Sequence, residues 1–213
     1  MNKTQKAVEV FNNHANLYEE RFMNFDLYND TFDLFCESIA KENPDVLELA
    51  CGPGNITKYL LAKRSDFKIL GTDLAPKMIE LAQKNNPSAD FQLLDCRDFL
   101  QLNKKFDAIL CGFGLPYLSE NDSIQLIKDA AVCLNKKGVL YISTMEENED
   151  RKSGYKKGNT GDEIYIYYHQ ASYLVNALKE FGFKIISIFR MNLTTASISV
   201  TELQYYCNSN RLV

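Results

Sequence analysis

From Val46 to Thr144 the chain alternates two kinds of pattern, and that alternation restricts its fold more than any other feature. Short β-rich runs ("VLELA", "FKILGT", "DFQLL", "FDAILC" and "GVLYIST") are interleaved with helical spacing at 55–65, 76–86 and 122–134. Strands separated by helices pair in parallel through crossovers, so the reading is α/β with a doubly wound, mostly parallel sheet. Pro76 suits a first helical turn, Ser119 or Asn121 can cap the next helix, and "NKKG" is expected to close it at Gly138. Ahead of this core, Val8, Phe11, Ala15, Tyr18, Phe22, Phe32, Phe35 and Ile39 fall at helical spacing. They predict two leading helices, the second capped by Asp30. Behind it come the aromatic run "EIYIYYH", a helix "ASYLVNALKEFG" stopped at Gly182, and two alternating runs, "FKIISIFRM" and "ISVTELQYYC", expected to pair antiparallel.

The 213 residues, 46% hydrophobic and 24% charged, fit one globular domain spanning 1–213 with a helical N-terminal cap at 1–42. No apolar run reaches the roughly 18 to 20 residues that span a bilayer, and the N-terminus lacks the pattern of a secretory signal. A cytoplasmic protein is expected, without a membrane partner. Six cysteines lie singly with no short-spaced Cys/His cluster, so free thiols and no metal are expected. A net charge of −4 disfavours nucleic acid, although the basic stretch from Arg151 to Lys157 leaves a local patch open. Composition does not fix the oligomeric state.

In "VLELACGPGNIT", residues 46–57, a buried strand carrying Glu48 runs into Gly52 and Gly54 and then into a helix. Ligands of open parallel sheets bind beyond the carboxyl ends of the strands, where glycines let backbone approach them. A dinucleotide fold would place a third glycine where Thr57 stands, which weakens a nicotinamide reading. The other strand ends offer acceptors instead. Asp73 lies 19 positions after Gly54 and can accept from two ribose hydroxyls, Asp95 from an exocyclic amine, and the carbonyls of "ILCGFG" from an ammonium group.

These residues resemble the class I S-adenosylmethionine-dependent methyltransferases, from about Tyr18 to the C-terminal strands. "VLELACGPGNIT" is similar to the glycine motif of that family, "GTDLAPKMIELAQ" to its ribose motif, "DFQLLDCRDF" to its adenine motif and "FDAILCGFGLPYL" to its fourth-strand motif. The resemblance implies a Rossmann-like, seven-stranded sheet with an antiparallel C-terminal strand, and S-adenosyl-L-methionine as cofactor. It implies that Glu48, Ala50, Cys51, Gly52 and Gly54 bind the cofactor, the turn residues lying against its methionine part. Asp73 would hold the ribose, Leu74 and Met78 would flank adenine, and Asp95, Cys96 and Arg97 would read its edge. Cys111 and Gly112 would face the ammonium, and Tyr18 would close over the carboxylate. Ala50 departs from the family pattern, standing where many members have the first glycine.

Methyl transfer from a sulfonium is an in-line displacement in which the protein aligns two reactants and excludes water. The expected activity is transfer to a small-molecule acceptor, since Pro116-Tyr117 is not the D/N-P-P-Y box of nucleic-acid amino methyltransferases. A base is needed only for a protonated acceptor, and His169 and Tyr117 are the candidates. The polar segment 145–162 is too long for a simple connection, so 145–170 is expected to be a lid and substrate segment, in which some of Tyr155, Tyr165, Tyr167 and Tyr168 face the acceptor while the others pack. Two other readings remain: a non-catalytic S-adenosylmethionine-binding module and a nicotinamide-dependent oxidoreductase.

Overall fold

A computed structural model describes residues 2–24, 26–158, 160–195 and 198–209, from 191 onward by backbone alone. The chain opens with α1 (Lys3–Asn13), α2 (Ala15–Phe22) and α3 (Asn29–Ser38). Three helices thus stand where the spacing predicts two. The extra break is at His14, which serves at once as C-cap of α1 and N-cap of α2. Asp30 lies inside the first turn of α3, whose N-cap is Tyr28, so it complements the helix dipole rather than capping.

Then β1 (Asp45–Leu49), α4 (Asn55–Lys63), β2 (Lys68–Asp73), α5 (Pro76–Asn85), β3 (Asp90–Leu93), β4 (Phe106–Cys111), α6 (Glu120–Cys133) and β5 (Leu134–Met145) alternate as the sequence implies. Ser119 caps α6 through a capping box with Asp122, and Pro76 opens α5. The helix α6 ends earlier than expected. Leu134 is already extended, and "NKKG" belongs to β5. Gly138 is there for space, because a Cβ would come 2.9 Å from the Asn135 carbonyl oxygen.

Strands β1 to β5 form a parallel sheet, and the order of the whole main sheet is β3-β2-β1-β4-β5-β9-β8, closed by β8 (Phe183–Thr195) and β9 (Ile198–Ser209). There β9 runs antiparallel to β5 and pairs with β8. The strand order reverses between β1 and β4, the switch point where such sheets open a crevice. Alternate residues of the central strands feed two cores. Leu47, Leu49, Ile109 and Ile142 pack with α6 and α7 (Ala171–Glu180), whereas Val46, Ala108, Leu110 and Tyr141 pack with α3 and α4. Burial on both faces is why these strands read as continuous apolar runs.

The segment expected as a lid contains a two-stranded ribbon, β6 (Gly154–Lys157) against β7 (Glu163–Ile166). Helix α1 reaches this ribbon: Lys3 Nζ lies 3.3 Å from the Tyr165 ring centroid and 3.2 Å from the Tyr167 hydroxyl, and His14 bonds Asp162 at 2.7 Å. No helix among the described residues is long and apolar enough to cross a membrane.

Candidate active site

The turn after β1 is built from three left-handed residues, Ala50 (φ 53°), Gly52 (φ 55°) and Gly54 (φ 79°). The two glycines do different work. At Gly54 a Cβ would strike Asn86 Nδ2 at 2.4 Å and the Ala82 backbone at 3.2 Å, so this glycine lets α4 pack on α5. At Gly52 a Cβ would meet only Tyr18, at 3.7 Å, and Asn55, at 4.0 Å, so its bare backbone faces open space. Ala50 holds the same left-handed backbone with a methyl group, at a modest steric cost.

Beyond Gly52 lies an open crevice of about 860 Å³, a figure that includes the solvent at its mouth. Tyr18, Ala50, Gly52, Asp73, Leu74, Met78, Asp95, Cys96, Arg97, Gly112 and Tyr117 line it. So do Thr4, Ala7, Val8 and Phe11 of α1, together with Phe113 and Leu118. The α1 residues are absent from the sequence-derived site. Their helical periodicity is visible, but nothing local says that the helix folds across the ends of distant strands.

Asp73 ends β2 and organises the mouth of the turn. One carboxylate oxygen accepts the Gly52 N–H at 2.9 Å and the other accepts the Ala75 N–H at 2.8 Å. Each oxygen keeps a further lone pair for a ligand hydroxyl. Burial pushes the Asp73 carboxyl up, with these N–H groups opposing it. Burial also works against ionisation of Asp95, but the Arg97 side chain and backbone hold it below the usual carboxylate range. Arg97 donates to both Asp95 oxygens, so this pair is largely self-satisfied. Tyr18 lies over Gly52 and beside Phe11, and burial, aided by the Asp73 charge, pushes its phenol up to about 12. Burial likewise raises Tyr117, whose ring meets Phe11 edge-on at 5.0 Å.

Other expected site residues stand behind this wall. Glu48 is fully buried and engages the Thr57 hydroxyl of α4. Cys51 and Cys111 are buried, and burial raises both thiols, Cys111 to about 12. His169 is only 2% exposed and does not reach the cavity lining. Its Nε2 bonds the Leu115 carbonyl at 2.9 Å and its Nδ1 the Tyr173 hydroxyl. A carbonyl only accepts, so Nε2 carries the proton and Nδ1 receives one from Tyr173. Both ring nitrogens are therefore engaged inside the protein, and burial lowers the ring's pKa. In this arrangement the His169 ring ties the turn after β4 to α7 and stands apart from the cavity lining. The tyrosines expected from the lid, Tyr155, Tyr165, Tyr167 and Tyr168, do not line the cavity either. No cluster of three or more His, Cys, Asp or Glu that could hold a metal occurs among the described residues.

Residues 46–138 match a family model described as a methyltransferase domain. Demethylmenaquinone methyltransferase of Thermotoga maritima is 29% identical over 171 residues, 78% of this chain and 70% of that protein. Among solved structures, magnesium protoporphyrin IX methyltransferase from Synechocystis with bound S-adenosylmethionine superposes with a TM-score of 0.68 at 17% identity, covering 97% of each chain. The [4+2]-cyclase SpnF superposes with a TM-score of 0.76 at 14% identity, covering 98% of this chain and 97% of its own. At such identities the structural likeness establishes the Rossmann-like fold, and chemistry has to be argued from the site.

Proposed function

We propose that this chain is a class I S-adenosylmethionine-dependent methyltransferase, whose cavity holds S-adenosylmethionine and passes the methyl group to a small-molecule acceptor. The carrying observation is Asp73, a half-buried strand-end carboxylate facing a cavity that begins at the bare backbone of Gly52. Those features fit the group: Asp73 would accept from the ribose hydroxyls, and Gly52 would let the methionine part lie close. Leu74 and Met78 would flank the base, Asp95, Cys96 and Arg97 would meet its edge, and Tyr18 would donate to the carboxylate. When bound, the cofactor supplies a methyl group already activated on a sulfonium.

The protein's own residues orient the reactants and exclude water. Ala7, Val8 and Phe11 of α1 cover the crevice with apolar surface, supporting closure without a separate loop. With the tyrosine hydroxyls protonated at neutral pH and His169 turned inward, none of the three is placed to take a proton from the acceptor. The Thermotoga relative is named for a small acceptor, which supports a small molecule here, as does the net charge of −4. The five described cysteines are unpaired, in keeping with one cytoplasmic domain.

Titration calorimetry without added metal tests this reading. S-adenosylmethionine and its demethylated product are both expected to bind. Tight binding of NADH with no binding of either sulfur ligand would overturn it.

A further inference from the structure

Between β4 and the turn at Leu115–Tyr117 the chain reads Gly112-Phe113-Gly114, and the aromatic residue sits where the backbone favours glycine. Phe113 has φ 57°, a left-handed conformation that is a strained outlier for a bulky side chain. Its neighbours are glycines because packing forbids a Cβ. At Gly112 a Cβ would lie 2.4 Å from Ile56 Cδ1, and at Gly114 it would lie 2.6 Å from Cys111 Sγ. A turn with no further duty would carry glycine at 113 as well.

The strain is not offset by core packing. Phe113 is half-buried, and it belongs to none of the packed apolar clusters among the described residues. Instead its ring lines the cavity and rests on Tyr28, centroid to centroid 5.0 Å. Its backbone is pinned by a bond from the Phe113 N–H to the Oγ of the fully buried Ser143, 2.9 Å long. Its chain neighbours in the lining, Gly112, Gly114, Tyr117 and Leu118, carry no charge, and the Tyr117 phenol stays protonated. An uncharged acceptor portion packed against this stretch gives up little hydration.

We propose that Phe113 is the residue that selects the methyl acceptor, presenting an aromatic wall, backed by Tyr28 and positioned by Ser143, to an acceptor with a flat, uncharged, conjugated portion. This rests on the reading of the cavity as a methyl-transfer site. A planar group stacks on such a wall, whereas a puckered one of equal hydrophobicity gains less.

The test uses the whole protein saturated with S-adenosylhomocysteine and titrated with naphthol and with decalol, its saturated, non-planar analogue. Wild-type protein is expected to bind naphthol about three- to tenfold more tightly than decalol, the scale of one aromatic stacking contact. Phe113→Gly and Phe113→Leu are both expected to erase that preference and Ser143→Ala to reduce it, with affinity for S-adenosylhomocysteine held within about threefold. Phe113→Gly should also melt no lower than wild type, because glycine adopts the turn without strain. Equal preference in wild type and Phe113→Gly, no naphthol binding by wild type, or a melting point lowered by more than about 5 °C in Phe113→Gly would each overturn the assignment. All three outcomes leave cofactor binding standing. Failure of wild type to bind S-adenosylhomocysteine removes the methyl-transfer reading and the assignment with it.

Discussion

Glu48 is an acid inside a strand whose neighbours Leu47 and Leu49 are wholly buried, and its burial has a consequence that pH can read. Alternation puts it on the face of Val46, toward α4, where Thr57 engages one oxygen. The other oxygen has no partner among the described residues. Burial pushes the carboxyl up to about 8, with the Thr57 bond opposing and the Asp73 charge adding. A folded-state value above the unfolded one means that the native protein keeps a proton the unfolded chain has lost. Stability therefore falls as pH rises from about 4.5 to about 8, and levels off above that. The loss is on the order of a few kcal/mol. Urea unfolding between pH 5 and pH 8 should show this slope, and Glu48→Gln, which keeps the shape without the charge, should remove most of it. A slope unchanged in that variant would mean that Glu48 is not the responsible group. Asp73 makes a different prediction. Asp73→Ala removes the acceptor of the Gly52 and Ala75 N–H groups and of any ribose hydroxyl, so affinity for the demethylated cofactor should fall by about 1–3 kcal/mol. Calorimetry on the variant measures it, and an unchanged affinity would leave Asp73 as a brace of the turn only.

Strands β1, β2 and β4 were legible to within a residue or two because burial on both faces leaves a strong apolar signal, and α5 because Pro76 marks its start. The β6–β7 ribbon was not legible. "GYKK" is largely exposed and is held by backbone pairing with β7, so its side chains carry no strand pattern. Gly138 misled for a related reason: glycine after a helix suggests a cap, and here it answers a crowded carbonyl. The cover of the cavity was also out of reach, because α1 is docked through partners 148 and 164 positions away. Those partners, Lys3 with Tyr165 and Tyr167 and His14 with Asp162, join an exposed lysine and half-buried side chains near the surface, so each holds the helix weakly. Lys3→Ala combined with Asp162→Ala should raise hydrogen exchange across residues 3–13 and leave global unfolding nearly unchanged. Release of the demethylated cofactor should speed up about two- to fivefold, the scale of one or two exposed contacts. Stopped-flow release at the wild-type rate would separate α1 from the cofactor's exit.

At the scale of the molecule, the cavity draws on distant parts of the chain: Thr4 to Phe11 from α1, Gly52 from the first turn, Asp73 and Asp95 from the next two strand ends, and Phe113 to Leu118 beyond β4. Asp73 and Asp95 could be found from sequence because a strand-end rule places them, whereas His169 drew attention by its chemistry while its burial was invisible. A ligand that touches all these elements binds only when they are assembled, so its free energy adds to that of global folding. At one hundred times its dissociation constant, S-adenosylhomocysteine should stabilise the protein by about 2.7 kcal/mol. For a chain of this length that corresponds to a rise in melting temperature of roughly 5–10 °C. Removing residues up to Asn13 takes away Thr4, Ala7, Val8 and Phe11 while leaving the sheet and its two cores in place. The shortened protein should therefore melt as one unit but show a smaller rise at the same ligand concentration. Scanning calorimetry of both forms, with and without ligand, decides it: equal rises would mean that α1 takes no part in holding the ligand, and no rise in either would mean that the cavity does not bind it.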